Sequence, residues 1–214
     1  MRLVLPRLYV ILDAALLTAP ESDCAQKLAD AGVRMLQYRN KFASSRELFE
    51  SSSRLSSQLV PQGVSFLVND RADVASAADA TGVHVGQEDL SAEAARQVIG
   101  KGKWVGVSTH NLEQFERAAA TSADYIAVGP VFCTSTKTNP DPVVGIDFIR
   151  RVRMLSNKPI VAIGGITVDR AAEVIRAGAD SVAVASDILR APDPGRRARH
   201  YMDLLKAANH AAAV

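Results

Sequence analysis

Eight short apolar, β-branched runs recur along this chain, separated by longer stretches of helical period. This alternation constrains the fold more than any other feature. The runs are Leu8–Leu12, Met35–Arg39, Ser65–Asn69, Gly82–Gly86, Trp104–Ser108, Tyr125–Gly129, Ile160–Gly164 and Ser181–Ala185. Helical candidates between them include Ser44–Gln58, Ala92–Ile99, Leu112–Ala120, Ile146–Leu155 and Ala171–Ala177, with a last helix over Gly195–Ala208. Near-continuous apolar strands imply burial on both faces, and hence a parallel sheet covered by helices. Eight such units of about 25–30 residues predict closure into a (β/α)8 TIM barrel of the phosphate-binding type. The competing fold is an open doubly wound sheet, which ordinarily has fewer strands and a glycine-rich first turn. Here the first turn reads Asp13-Ala14-Ala15-Leu16, without that signature.

Local punctuation agrees. Ala31-Gly32, Ile99-Gly100 and Ala177-Gly178 place glycine where a left-handed C-cap falls. Asn111 stands before an amphipathic run as an N-cap does, and Thr167 has a similar position. The 214 residues suit a single barrel domain over 1–214, with 209–214 expected as a frayed tail.

Charge and cysteine content bound the function. The formal net charge is only +2, from 25 Lys+Arg against 23 Asp+Glu, which argues against nucleic acid or an anionic membrane as the main partner. No run of 18 apolar residues suggests a membrane span. The opening MRLVLPRLYVILD reads as a first strand, not a signal peptide. Cys24 and Cys133 are the only cysteines and form no CxxC pair, so neither a disulfide framework nor a zinc site is expected, and a reducing cytoplasm fits. Small-molecule substrates are the expected partners; a homo-oligomer stays open.

In a barrel, polar residues at strand ends face the catalytic mouth. Read that way, strand two ends in Gln37-Tyr38-Arg39-Asn40-Lys41 and strand three in Asn69-Asp70-Arg71. Strand four runs into Gly86-Gln87-Glu88-Asp89, and strand five ends in Ser108-Thr109-His110. Strand six leads to Gly129-Pro130 and a polar loop, Cys133–Asn139, longer than a typical βα connection and suited to closing over a ligand. Strand seven ends in Gly164-Gly165 and strand eight in Ala185-Ser186.

Three chemistries follow. Arg39, Lys41 and Lys137 are cations from separate strands, able to converge on a polyanion. Asp70 and Asp89 end adjacent strands, as two carboxylates sharing one Mg²⁺ would. Gly164-Gly165 and Ala185-Ser186 occupy the usual barrel phosphate site, where small residues let backbone N–H groups approach an anion. With Mg²⁺ the charged set carries about +3, which a bound organic diphosphate of about −3 would neutralise. Simpler readings stand beside these. Asp70 could cap a helix over Ala72–Ala78, Cys133 reads as a small filler, His84 as a satisfied polar residue in or beside the barrel, and His110 near the mouth keeps no assigned role.

These segments resemble the thiamine-phosphate synthase family. The likeness is carried in order by Gln37–Lys41, Leu67–Arg71, Gly82–Asp89, Gly106–His110, Gly129–Phe132 with Thr134–Lys137, Ile163–Ile166, Gly178–Asp180 and Ala185–Ser186. HVGQED and the TxTK loop are the more specific of these; IGGI is shared by many phosphate-binding barrels. The resemblance implies an enzyme that joins hydroxymethylpyrimidine diphosphate to thiazole phosphate, releasing diphosphate with Mg²⁺. It implies that Gln37, Arg39, Lys41, Asn69 and Lys137 clamp the diphosphate, with Gln37 also reaching the pyrimidine. It implies that Asp70 and Asp89 hold Mg²⁺, that Ser108 stands near the pyrimidine amine and the leaving group, and that Thr134, Thr136, Gly165, Ala185 and Ser186 cradle the thiazole phosphate. Ser108, Lys137 and Arg39 are the residues it implies act in catalysis. Ala185 is smaller than the apolar residue the pattern leads one to expect. Three other functions of such a barrel remain: a thiazole tautomerase-like enzyme using His110 for proton transfer, a non-catalytic regulator binding thiazole phosphate, and a phosphate-binding isomerase or aldolase, which would want a strand-end Lys or paired carboxylates suited to proton transfer. The complete set of charged residues favours the transferase.

Overall fold

The computed structural model describes residues 5–134 and 141–210. Its eight strands are β1 (Leu8–Asp13), β2 (Met35–Arg39), β3 (Ser65–Asn69), β4 (Gly82–Val85), β5 (Trp104–Thr109), β6 (Tyr125–Val128), β7 (Ile160–Ile163) and β8 (Ser181–Val184). Each pairs in parallel with the next, and β8 returns to β1 through Leu8↔Val182 and Tyr9↔Ala183, closing the barrel. The predicted runs match these strands to within a residue at either end.

The helices between them are α1 (Glu21–Asp30), α2 (Ser45–Leu59), α3 (Ala72–Ala77), α4 (Ala92–Ile99), α5 (Leu112–Ala119), α6 (Gly145–Arg153), α7 (Val168–Arg176), α8 (Ser186–Leu189) and α9 (Pro194–His210). Helix α5 illustrates their local logic. Asn111 accepts the Gln114 N–H at 2.9 Å, satisfying one of the four orphan donors of the first turn. Glu113 and Arg117 pair at 2.8 Å along the outer face. Phe115 and Ala118 face inward, and burying the Phe115 ring stabilises by roughly 1.5–3 kcal/mol. Thr167 does stand before α7, but its side chain makes no cap hydrogen bond. The predicted C-cap glycines Gly32, Gly100 and Gly178 all have positive φ. Helix α9 runs to His210, and 211–214, most of the expected tail, lie outside the described residues.

Side chains alternate across the sheet, producing two separate cores. One lies between sheet and helices and includes Val10, Leu36, Phe66, Val83, Val105 and Phe115. The other fills the barrel lumen with Tyr9, Ile11, Met35, Leu67, Tyr125, Ala127, Val161 and Ala183. The inward parity of the lumen residues continues to the strand ends, which points Asp13, Gln37, Arg39, Asn69, His84 and Ser108 into the mouth. Among the described residues no helix is long and apolar enough to cross a membrane.

Candidate functional site

A cavity of about 680 Å³ opens at the C-terminal ends of the strands, with the lumen residues Tyr9, Ile11, Ala127 and Val161 as its floor. Eleven sequence-predicted residues line it: Gln37, Arg39, Lys41, Asn69, Asp70, Asp89, Ser108, Thr134, Gly165, Ala185 and Ser186. Thr136 and Lys137, with most of the Cys133–Asn139 loop, lie outside the described residues.

Positive and negative groups alternate along the β1–β4 arc. Arg39 is not a loose cation. Asp13, its cross-strand register partner at the end of β1, holds its guanidinium at 2.5 Å. Asp13 is 2% exposed and also accepts the Ala15 N–H at 3.1 Å, so both the carboxylate and the fork it orients are fixed. In the sequence Asp13 stands only as the residue that opens the first turn. Its strand-two partner Arg39 and its inward parity with Tyr9 and Ile11 were the available signals.

Asp70 caps no helix. Arg71 occupies the N-cap position of α3, and the Asp70 carboxylate instead forms an ion pair with Lys41. Asp70 also has φ +63°, a left-handed conformation that costs a non-glycine residue on the order of 1–3 kcal/mol. Its N–H donates to the His84 carbonyl at 2.7 Å, which locks the turn that aims the side chain at the mouth. Asp89 accepts the Gly86 N–H at 2.7 Å. Burial pushes the Asp89 carboxyl above the usual carboxylate range; the Gly86 N–H works against this, and neighbouring Asp70 adds to it. Two carboxylates this close resist ionising together unless a cation stands between or beside them. The set fits Mg²⁺, which is commonly held by one or two carboxylates with substrate oxygens and water completing the shell. Among the described residues no group of three His, Cys, Asp or Glu side chains that could hold a metal ion occurs.

The opposite arc is built from backbone. Gly164 and Gly165 have φ +99° and +64°, and the loop after β6 is stitched onto them by Val131 N–H to Ile163 O at 2.9 Å and Phe132 N–H to Gly164 O at 3.0 Å. A Cβ at Gly165 would stand 2.3 Å from the Cys133 carbonyl oxygen and 2.8 Å from Phe132 Cβ. Close packing of this loop therefore already demands glycine, apart from any anion. Arg170 stacks 4.6 Å above the Phe132 ring, bracing the same corner. Ser186 opens the short helix α8 beside it.

His84 and His110 are both engaged. His84 Nε2 lies 2.8 Å from Ser108 Oγ and Nδ1 lies 2.9 Å from Tyr125 Oη, in keeping with its reading as a satisfied polar residue. His110 Nδ1 lies 2.6 Å from the Gly129 carbonyl, and Nε2 lies 3.5 Å from Asp141. Gln87 donates to the Ser108 carbonyl at 2.6 Å, tying the β4 loop to β5. Cys133 is free and exposed, and Cys24 is free and buried.

Residues 8–188 match the family model described as thiamine monophosphate synthase. The chain is 51% identical over 209 residues to the thiamine-phosphate synthase of Koribacter versatilis, covering 95% of this chain and 97% of that one. It is 42% identical to the thiamine-phosphate synthase of Chloroflexus aurantiacus, covering 96% and 95%. Among solved structures, the thiamine phosphate pyrophosphorylase from Pyrococcus furiosus superposes with a TM-score of 0.85 at 33% identity, covering 94% of this chain and 96% of that one.

Proposed function

Because the chain belongs to the thiamine-phosphate synthase family, a family of transferases in thiamine biosynthesis, we propose that its barrel mouth joins hydroxymethylpyrimidine diphosphate to thiazole phosphate, releasing diphosphate. The observation that carries this reading is the division of one cavity into two anion sites of different construction. Arg39, Lys41 and the Asp70–Asp89 pair crowd the β2–β4 arc, whereas a glycine turn and the start of α8 form the β7–β8 arc. A charged arc suits a diphosphate accompanied by a metal ion, and a backbone cradle suits a phosphate monoester. The volume of about 680 Å³ accommodates both rings at once.

The chemistry asks for position and charge stabilisation more than for a base. The pyrimidine methylene carries the leaving group, and the ring amine feeds electrons toward that carbon as diphosphate departs. Arg39, held rigid by Asp13, meets the developing negative charge without reorganising, which is where preorganised charge lowers a barrier most. Lys41, which pairs with Asp70 in the free protein, stands in the same arc as a further cation for a phosphate oxygen. Asp70 and Asp89 would hold Mg²⁺, which would supply charge neutralisation on the leaving diphosphate. Asn69 and Gln37 belong to the same clamp, with Gln37 also reaching the pyrimidine, and Ser108 serves the pyrimidine amine and the leaving group; Lys137, outside the described residues, is the clamp's remaining cation. Thr134, Thr136, Gly165, Ala185 and Ser186 hold the thiazole phosphate so that the ring nitrogen faces the methylene carbon, which needs orientation rather than activation. Two free cysteines suit a reducing, cytoplasmic setting.

The test is direct. The purified protein is mixed with both substrates and Mg²⁺, and thiamine phosphate is sought by mass. Its appearance at a rate proportional to enzyme is expected. Absence of product with a folded protein and authentic substrates would overturn the assignment.

A further inference from the structure

Beneath the mouth, five polar side chains from five different strands form an unbroken hydrogen-bonded line through the barrel. Gln37 Nε2 donates to Tyr9 Oη at 2.6 Å. Tyr9 Oη lies 3.1 Å from Tyr125 Oη, which lies 2.9 Å from His84 Nδ1. His84 Nε2 lies 2.8 Å from Ser108 Oγ. Gln37, Tyr9, Tyr125 and His84 are all buried, whereas Ser108 is half-buried and faces the cavity. The line connects Gln37 and Ser108, the two residues that the family resemblance sets around the pyrimidine.

Strand register makes the line possible. His84, Gly106 and Tyr125 are register partners on β4, β5 and β6, so they stand at one level on adjacent strands. Gly106 leaves its place empty, and the two aromatic rings meet over it, stacked with centroids 5.5 Å apart and planes 21° from parallel. A Cβ on Gly106 would lie 2.1 Å from Tyr125 Cζ, 2.3 Å from Tyr125 Oη and 2.5 Å from His84 Nδ1. The missing side chain is what permits this link.

A head-to-tail order that begins at the Gln37 amide uses the one proton of each hydroxyl. Tyr9 accepts from the Gln37 amide and sends its own proton to Tyr125. Tyr125 then sends its proton to His84 Nδ1. With Nδ1 accepting, the ring proton sits on Nε2 and is donated to Ser108. The Ser108 hydroxyl, already receiving one hydrogen bond, has its proton left for the occupant of the cavity. Burial pushes both tyrosine pKa values far above neutrality, so neither link loses its proton in ordinary buffers.

We propose that Tyr9, Tyr125 and His84 are positioning residues that fix the polarity of Ser108, making it a hydrogen-bond donor to the bound substrate. Bonds ordered head to tail polarise one another, so the donor at the end is stronger than an isolated serine. Gln37 and Ser108, at the two ends, are thereby coupled through the barrel. The inference rests on the reading of the mouth as the pyrimidine site only for its kinetic consequence; the ordering itself belongs to the free protein.

Two measurements test it. In the first, the protein is labelled with ¹⁵N-histidine, and the His84 ring is identified as the signal lost in His84→Gln; long-range proton–nitrogen correlation then reports which ring nitrogen carries the proton. A protonated Nε2 is expected in the parent, with a shift toward mixed tautomers in Tyr9→Phe, which removes a hydroxyl two links from the ring. A parent with the proton on Nδ1, or a tautomer unchanged in Tyr9→Phe, overturns the proposal. This arm needs no substrate and is independent of the proposed reaction. In the second, Tyr125→Phe should lower kcat about tenfold with little change in KM. On a Ser108→Ala background the same change should have almost no effect, because the group it acts through is gone. Equal losses on both backgrounds overturn the proposal.

Discussion

Gly106→Ala should be among the most damaging single-methyl additions in this molecule. The added Cβ would enter a space already held by Tyr125 Cζ, Tyr125 Oη and His84 Nδ1, at 2.1, 2.3 and 2.5 Å. Relief requires the tyrosine tip to move by about 1 Å or more, since carbon contacts settle near 3.5–4.0 Å. Tyr125 has no exposure and nowhere nearby to go. Its displacement breaks the 2.9 Å bond to His84 and the 3.1 Å bond to Tyr9. Each buried polar group left unpaired costs about 1–3 kcal/mol, and the overpacking itself about 1–3 kcal/mol. With Tyr125 Oη as the group left unpaired, the total is roughly 2–6 kcal/mol, a large share of the 5–15 kcal/mol that typically separates folded from unfolded. Urea unfolding monitored by circular dichroism measures it, with Gly102→Ala as the matched control. A Cβ at Gly102 meets nothing within 4 Å, so the control should change stability by less than about 1 kcal/mol. Adding Tyr125→Leu to Gly106→Ala, which removes both Cζ and Oη, should restore part of the loss. If Gly106→Ala unfolds within about 1 kcal/mol of the control, the reasoning from register and vacated space is wrong.

Asp70→Asn and Asp89→Asn should each raise the Mg²⁺ concentration required for activity, because an amide is a poorer ligand for a hard cation; unchanged metal dependence in both would remove the pair from the metal site. Lys137→Ala should strongly reduce turnover while leaving thermal unfolding unaltered, and near-parental turnover would exclude Lys137 from the clamp. A substrate whose pyrimidine methyl is replaced by trifluoromethyl should react at least about 10³-fold more slowly, roughly 4 kcal/mol of barrier, if diphosphate departs before the thiazole bonds. A slowing of only a few-fold, measured with chemistry rate-limiting, would favour direct displacement instead.

Much of this protein is local and therefore legible in its sequence. Strand and helix positions follow from periodicities of two and 3.6 residues that any single segment carries by itself. The Asn111 cap and the glycine stops are likewise short-range, set by a few neighbouring backbone groups. Strand-end position was enough to collect Arg39, Lys41, Asp70, Asp89, Gly165, Ala185 and Ser186 around one cavity, and the family resemblance added Gln37, Asn69, Ser108 and Thr134. The reason is that a closed parallel barrel brings all its strand ends to one face. What those residues touch was not legible. From its neighbours Asp70 could be either a helix cap or a mouth carboxylate; only the structure turns it left-handed and pairs it with Lys41, 29 residues away. Asp13 and Arg39 meet only because β1 and β2 align them in register. Gly165 looks like an anion-binding glycine, but contact with the Phe132–Cys133 backbone already requires it. The line from Gln37 to Ser108 depends most on tertiary structure. Its tyrosines are 116 positions apart and meet only inside the lumen, where closure of the sheet, strand register and the absent side chain of Gly106 together bring the groups within hydrogen-bonding distance.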